Sequence, residues 1–398
     1  MKKILVIGGG AYQVPLIKRI IELGNQAFCV DGNPNAMGFS YATESRNIDV
    51  LDREACLAYA REINIDAVMT YGATLTLPTV SYIGMKLGLP VLPLQTAEIS
   101  KSKYKIKRCL AEHGCNIRGN FFEMHAPEDA LRHEFSLPCV IKPSDGSGSK
   151  GVSIVHREDQ LKDAIQYAYD NARYGEFYVE SLISGEEYSA EAFVCNGETH
   201  VYAIVKTTFE KNPVTGEISY GHRTPSGLPA KQEQTIEEEV KKAIQALNIT
   251  MASVNFDIIL SKEDGKPYII DCGIRVGQNL IASHFVPLSR GVSVIDNTIS
   301  LALGEAVDAT PQFIKCIATR LLIYKPGIIS EIKPMDDVIG KNGVIDVVLR
   351  KKCGDMQNEY REKSDSCGWV ITTGQTPDEA EANAIKAKKL LQDYIIIQ

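Results

Sequence analysis

One stretch of this 398-residue chain has the make-up of a phosphate cradle: Lys142-Pro143-Ser144-Asp145-Gly146-Ser147-Gly148-Ser149-Lys150-Gly151-Val152. An apolar run ends in a lysine. A loop of small residues follows, then a second lysine, then another apolar run. Glycine and serine let backbone N–H groups approach phosphate oxygens closely, and the two lysines add charge. The Gly-Lys-Ser/Thr step into a helix is missing, so this is not a Walker loop. Taken alone, the stretch also reads as a solvated hairpin turn. Downstream, Asn255-Phe256-Asp257-Ile258-Ile259-Leu260 and Tyr268-Ile269-Ile270-Asp271-Cys272-Gly273-Ile274-Arg275 flank a turn at Glu263-Asp264-Gly265. Asp257 and Asp271 close adjacent strands, which can bring two carboxylates to one metal. Hard oxygen ligands beside phosphates suit Mg²⁺ or Mn²⁺. Arg275 can set a planar cation on a phosphate or a carboxylate.

The elements that carry these residues fall into three regions. The first hundred residues alternate strand and helix patterns: Lys3–Ile7, Val14–Leu23, Ala27–Val30, Arg53–Ile63 and Ala67–Thr70. Such βαβ alternation predicts a parallel sheet wrapped by helices over 1–98. A basic helical stretch, Lys101 to Glu112, follows and stops at Gly114. From there to residue 310 the pattern is α+β with antiparallel strands. Strand-like runs lie at 140–142, 152–155, 176–182, 188–194, 200–205, 254–260 and 268–271. A third region, 311–398, holds two strand patterns and a long amphipathic helix from Pro377, with a Thr-x-x-Glu start at Thr376 and Glu379.

Composition narrows the partners. Forty-three basic residues stand against 50 acidic ones, a net charge of −7. That balance argues against a nucleic-acid or anionic-membrane surface. No apolar run approaches the roughly 18–20 residues of a membrane span. The first residues read as a strand and not as a leader. Ten cysteines are spread along the chain without a Cys-x-x-Cys pair, as expected of reduced thiols in a cytoplasmic protein.

Taken in order, these motifs resemble the ATP-grasp superfamily over nearly the whole length. The resemblance implies a Rossmann-like N-terminal domain (1–98), an ATP-grasp domain of two α+β subdomains (99–310) and a small C-terminal α+β domain (311–398). It implies an ATP-dependent ligase that joins a small-molecule carboxylate to an amine through an acyl phosphate, with ATP and Mg²⁺ (or Mn²⁺). Amino-acid ligases are the most similar members, and a homodimer is compatible with them. Carried over by position, Lys103 and Lys142 reach the ATP phosphates. The loop with Ser147, Gly148 and Lys150 forms the lid. Glu180, Ser181, Leu182 and Ile183 form the adenine hinge, and Glu187 holds ribose hydroxyls. Asp257 and Asp271 bind metal, and Arg275 meets the transferred phosphate.

Two departures stand out. Asp271 stands where a glutamate is usual, and Gly273 stands where a third, asparagine ligand is usual. Asn255, Gln278 or Asn279 could substitute for that ligand. His222 and Arg223 are candidates for a substrate carboxylate, with a surface loop as the plain alternative. Two other classes stay open. An ATP-binding regulatory protein without turnover is motivated by Gly273. A nucleotide-dependent oxidoreductase is motivated by Gly8-Gly9-Gly10 and Asp31, although Gln13 replaces the third glycine of that fingerprint.

Overall fold

The computed structural model describes residues 1–146, 150–212, 216–277, 280–361 and 363–398. Strands β1 (Lys3–Ile7), β2 (Gln26–Asp31), β3 (Glu44–Asn47) and β4 (Ala67–Met69) form a parallel sheet in the order β3-β2-β1-β4. Helices α1 (Val14–Glu22), α2 (Arg53–Ile63) and α3 (Leu77–Leu87) accompany it. Its central strands are buried on both faces, which explains their unbroken apolar runs. The glycine turn after β1 is closed from within. Asp31 accepts the Gly9 N–H at 2.7 Å and the Asn33 N–H at 2.8 Å. The carboxylate a dinucleotide ribose would need already serves the turn.

Helix α4 (Leu94–Ile99) leads into α5 (Lys103–Glu112). Ser102 caps α5 by accepting the Lys105 N–H at 3.2 Å. This start sets Lys103 and Lys107 one turn apart on one face. Strands β5 (Phe121–Met124), β6 (Cys139–Pro143) and β7 (Ser153–Val155), helix α6 (Leu161–Asp170) and strand β8 (Phe177–Ser181) follow. They build a four-stranded antiparallel sheet, β5-β8-β6-β7, with α6 against it.

The main sheet has eight strands. It begins with β9 (Gly185–Cys195), β10 (Glu198–Asn212) and β11 (Gly216–Thr224), then, after helix α7 (Ala230–Ala246), β12 (Ala252–Ser261) and β13 (Pro267–Gly273). Strand alternation divides its residues cleanly. Tyr188, Ala190, Ala192, Phe256 and Ile258 pack with Ile236, Val240 and Ala243 of α7. Glu187, Ser189, Glu191, Asn255 and Asp257 take the other face. Strands β10 and β11 run well past the expected end at Val205, because polar residues there continue the ladder without an apolar signature.

Helices α8 (Val286–Arg290) and α9 (Val294–Leu303) precede the last region. That region contains β14 (Cys316–Leu322), β15 (Gly327–Ile332), β16 (Val344–Leu349), β17 (Met356–Gln357), β18 (Gly368–Gly374), α10 (Pro377–Leu390) and β19 (Ile395–Ile397). Three of its strands extend the main sheet, in the order β13-β12-β9-β10-β11-β14-β18-β16. Thr376 caps α10 by accepting the Glu379 N–H at 3.1 Å, and Glu379 reaches back to the Gln375 N–H at 2.7 Å. Among the described residues no helix is long and apolar enough to cross a membrane, and all ten cysteines are free thiols.

Candidate active site

Three lysines and two carboxylates meet where α5, the small sheet and the main sheet converge. Lys142 ends β6. Its Nζ lies 2.6 Å from Glu180 Oε1 and donates to the Ile270 carbonyl at 3.2 Å. Lys107 takes the other oxygen of Glu180. Lys103, one turn earlier, pairs with Asp271. Lys142, Lys107 and Glu180 are all buried.

Charge decides the protonation of this cluster. Burial alone would raise the Glu180 carboxyl, but Lys142 and Lys107 outweigh it and hold the group below its usual range. Burial likewise opposes the charge on Lys142, and Glu180 outweighs it, so Lys142 stays firmly protonated. Lys107 is pushed down by burial, and the like charge of Lys142 adds to that. Asp271 is held at about 2, because Lys103 and Lys142 overcome its burial.

The two aspartates stand directly opposite each other on β12 and β13. Asp257 also stands opposite Ser189, whose hydroxyl donates to Oδ1 at 2.9 Å. Burial, then the charge of Asp271, raises the Asp257 carboxyl. Glu187, on the same face, is raised to about 8 by burial and by Asp257. A divalent cation would relieve this crowding of negative charge. Among the described residues no group of three or more His, Cys, Asp or Glu gathers into a metal cage. The carboxylates of Asp257 and Asp271 make a candidate donor set of two. It suits a cation that completes its shell with phosphate oxygens and water, as magnesium does.

The remaining expected site residues divide into three groups. Ser181, Leu182 and Ile183 lie where β8 passes into β9, with the Leu182 N–H donated to the Pro138 carbonyl at 3.3 Å. The Glu180 carboxylate is occupied by the two lysines, so in this structure it holds Lys142 in place. Lys150 is exposed at the far end of its loop, whereas Ser147 and Gly148 lie outside the described residues. Gln278 and Asn279 also lie outside them. Asn255 Nδ2 donates to Glu191 Oε1 at 2.7 Å, which ties the amide to β9 and leaves Oδ1 as the atom it could offer a metal. Arg223 is tied to Asp378 and Glu381 of α10, which removes it as a substrate anchor. The expected surface loop around it is strand β11.

Three residues escape the sequence reading. Lys107 was legible as a lysine one helical turn after Lys103. Glu191 was legible in the Glu187-x-Ser189-x-Glu191 alternation. It is fully buried and raised to about 8, mainly by burial, and also accepts the Gly277 N–H at 3.2 Å. A Cβ at Gly277 would sit 2.2 Å from Glu191 Oε1, so glycine is needed there. Lys363, from the C-terminal region, carries no sequence signal at all.

Gly273 has a local explanation. Arg275 folds back over it, and a Cβ there would lie 3.1 Å from Arg275 Cζ. The Arg275 N–H also bonds the Gly273 carbonyl at 2.8 Å. Gly273 lies opposite Asn255, on the same face as Asp271. Gly273→Asn would thus add an oxygen beside Asp271 and displace the Arg275 guanidinium. The expected result is a split: a lower magnesium requirement together with a several-fold lower kcat. Magnesium titrations of ATP turnover in both proteins check it, and an unchanged kcat would remove the steric account of Gly273.

Comparison with known proteins bears on the same segments. Residues 135–282 match the model of an ATP-grasp domain, and residues 320–393 match that of L-amino acid ligase C-terminal domain 2. A formate-dependent phosphoribosylglycinamide formyltransferase of Prochlorococcus marinus is 31% identical over 176 residues, 43% of this chain and 45% of that protein. A D-alanine–D-alanine ligase of Flavobacterium psychrophilum is 27% identical over 188 residues, 44% of this chain and 54% of that one. The chain thus spans about half the length of these curated relatives. The solved L-amino acid ligase from Bacillus licheniformis superposes with a TM-score of 0.84 at 22% identity, covering 100% of this chain and 99% of that one. Phosphoribosylglycinamide synthetase from Anaerococcus prevotii gives 0.75 at 23%, with 100% and 99% covered. At these identities the structural likeness is one of fold.

Proposed function

We propose that this chain, which carries an ATP-grasp domain, is an ATP-dependent ligase joining a small carboxylate to an amine through an acyl phosphate. The observation that carries the reading is the convergence of Lys103, Lys142 and Arg275 on the face that holds Asp257 and Asp271. Such a site has cations for a triphosphate and carboxylates for a metal that travels with it. The ligase relatives among the matched proteins support the same chemistry.

In this reading Lys103 and Lys142 bind and orient the phosphates. Glu180 and Lys107 fix Lys142 from behind. The Ser147–Lys150 loop covers the phosphates, the hinge at Ser181–Ile183 holds the base, and Glu187 holds the ribose. Asp257 and Asp271 would hold magnesium, which when bound would supply positive charge at the phosphates. Arg275 stabilises charge on the transferring phosphoryl group. A carboxylate oxygen bonds the γ-phosphorus, and the β–γ bridging oxygen leaves with ADP. The amine nitrogen then bonds the acyl carbon, inorganic phosphate leaves, and the amine gives up a proton. Positioning supplies most of the acceleration, so no general base is required of the fold.

A phosphate-release screen over pairs of amino acids and small carboxylates, read by mass spectrometry, tests the reading. A new amide with stoichiometric ADP is the expected outcome. Tight ATP binding with no pair raising ADP formation would instead favour a regulatory ATP binder, the reading for which Gly273 is the ground.

The carboxylate pair also sets a pH dependence. Asp257 and Glu187 are raised, Glu187 to about 8, so the ligand-free site retains protons near neutrality. Metal ligands must be deprotonated, so magnesium and protons compete at Asp257, and a cation bound beside Glu187 would favour the ionised form of that carboxyl too. Affinity for magnesium–ATP is expected to strengthen as pH rises toward about 8 and to level off above it. Calorimetry in buffers of different ionisation enthalpy should detect proton release below that pH. A flat affinity with no proton release would count against Asp257 as a metal ligand beside Glu187.

A further inference from the structure

Next to the carboxylate pair lies a group of side chains that the reaction above leaves unused. His222 on β11 stands directly opposite Thr207 on β10, and both are buried. Directly opposed residues of an antiparallel ladder share a face. Val205, two residues before Thr207, stands opposite Ser189, which stands opposite Asp257. Thr207 and His222 therefore lie on the face of Asp257 and Glu187, one pleat farther along. The Thr207 hydroxyl lies against Glu187. His222 Nδ1 is buried and has no hydrogen-bond partner among the described residues. Burial, with the charge of Lys363, keeps that imidazole neutral, at about 3.

Lys363 comes from the C-terminal region, on the short turn Lys363–Asp365, three residues after Tyr360, which packs with Tyr220, two residues before His222 on β11. Its ammonium acts on Asp257, Glu187, Arg275 and His222. Among the described residues the turn is anchored through its backbone. The Lys363 carbonyl accepts from Arg350 Nη1 at 2.8 Å and from the Ser366 hydroxyl at 2.9 Å. Arg350 in turn stacks over Trp369 at 4.1 Å and donates to the Tyr12 hydroxyl at 3.3 Å. The C-terminal region thus brings Lys363 to a site built by α5 and the central sheets.

We propose that Lys363 and His222 form an anion subsite beside Arg275, which takes the substrate carboxylate and then the acyl phosphate it becomes. The inference rests on the ligase reading. An ammonium, a guanidinium and an unpaired imidazole nitrogen on one side of a metal-binding carboxylate pair suit a group that is anionic before and after phosphoryl transfer. Lys363 would follow the acyl group through both steps. His222 would donate through Nδ1 in the tautomer that protonates it.

Inorganic phosphate titrated into the full chain loaded with magnesium–ADP tests the subsite. Wild-type protein is expected to bind phosphate. Lys363→Ala should weaken it by about tenfold or more, with ADP affinity held within about twofold. Lys363→Arg should restore most of the loss. Because the turn is held by backbone contacts, alanine leaves its anchors intact, and unchanged ADP affinity verifies the fold. Equal phosphate affinity in wild type and Lys363→Ala would overturn the subsite and leave the ligase reading standing. Failure of wild-type protein to bind ADP would overturn that reading, and the subsite with it.

Discussion

Glu180→Ala is expected to destabilise the central region by about 3–5 kcal/mol, the cost of leaving buried charge without its partner. Glu180 is the carboxylate between Lys107 and Lys142, and all three are almost fully buried. Removing it strands two ammonium groups in a site that water reaches poorly. Lys107→Met is expected to be much milder. It leaves the Lys142–Glu180 pair matched one to one and removes the lysine that burial already pushes toward its neutral form. Denaturant midpoints of the two variants check the order. A Lys107→Met as damaging as Glu180→Ala would show that the cluster does not act through charge balance.

Asp257→Ala is expected to lower ATP turnover by about two to three orders of magnitude, the range lost when charge stabilisation at a transferring group is removed. Asp271→Ala should do the same. It should also release Lys103, which pairs with Asp271 in the ligand-free chain. The two variants should differ in nucleotide binding without magnesium. Asp257→Ala removes a repulsive carboxylate and should bind free ADP at least as well as wild type. Asp271→Ala frees a lysine for the phosphates and should bind it better still. Nucleotide titrations with and without magnesium check both statements. Full turnover by either variant at low magnesium would end the metal assignment.

The two aspartates show how far a single sequence carries. Asp271 comes near the end of its strand and Asp257, expected to close its own, in the middle of it; the turn between the strands is short and marked by Asp264-Gly265. Their direct opposition on β12 and β13 follows from that local pattern. The lysine loop is legible for a similar reason, since a strand ending in Lys142 and a run of Gly and Ser are local signals. The parallel sheet of the first hundred residues is equally plain, because strands buried on both faces read as unbroken apolar runs.

Residues whose role depends on distant partners were not legible. Nothing near Glu180 announces that its carboxylate serves Lys107 and Lys142, from elements 73 and 38 residues away by number (180 − 107 and 180 − 142). Arg223 reads as a free basic residue until the sheet continues from β11 to β14 and brings α10 beside it. Nothing near Asn255 announces that its amide N–H serves Glu191, which only the pairing of β12 with β9 sets opposite it. Local spacing alone put the chemistry on offer: lysines suited to phosphates, a carboxylate pair suited to a metal and an arginine suited to a phosphate or a carboxylate. Tertiary structure decided which groups are free to perform it. Burial makes each charge demand a partner, and partners from separate strands and helices meet only when the sheets close.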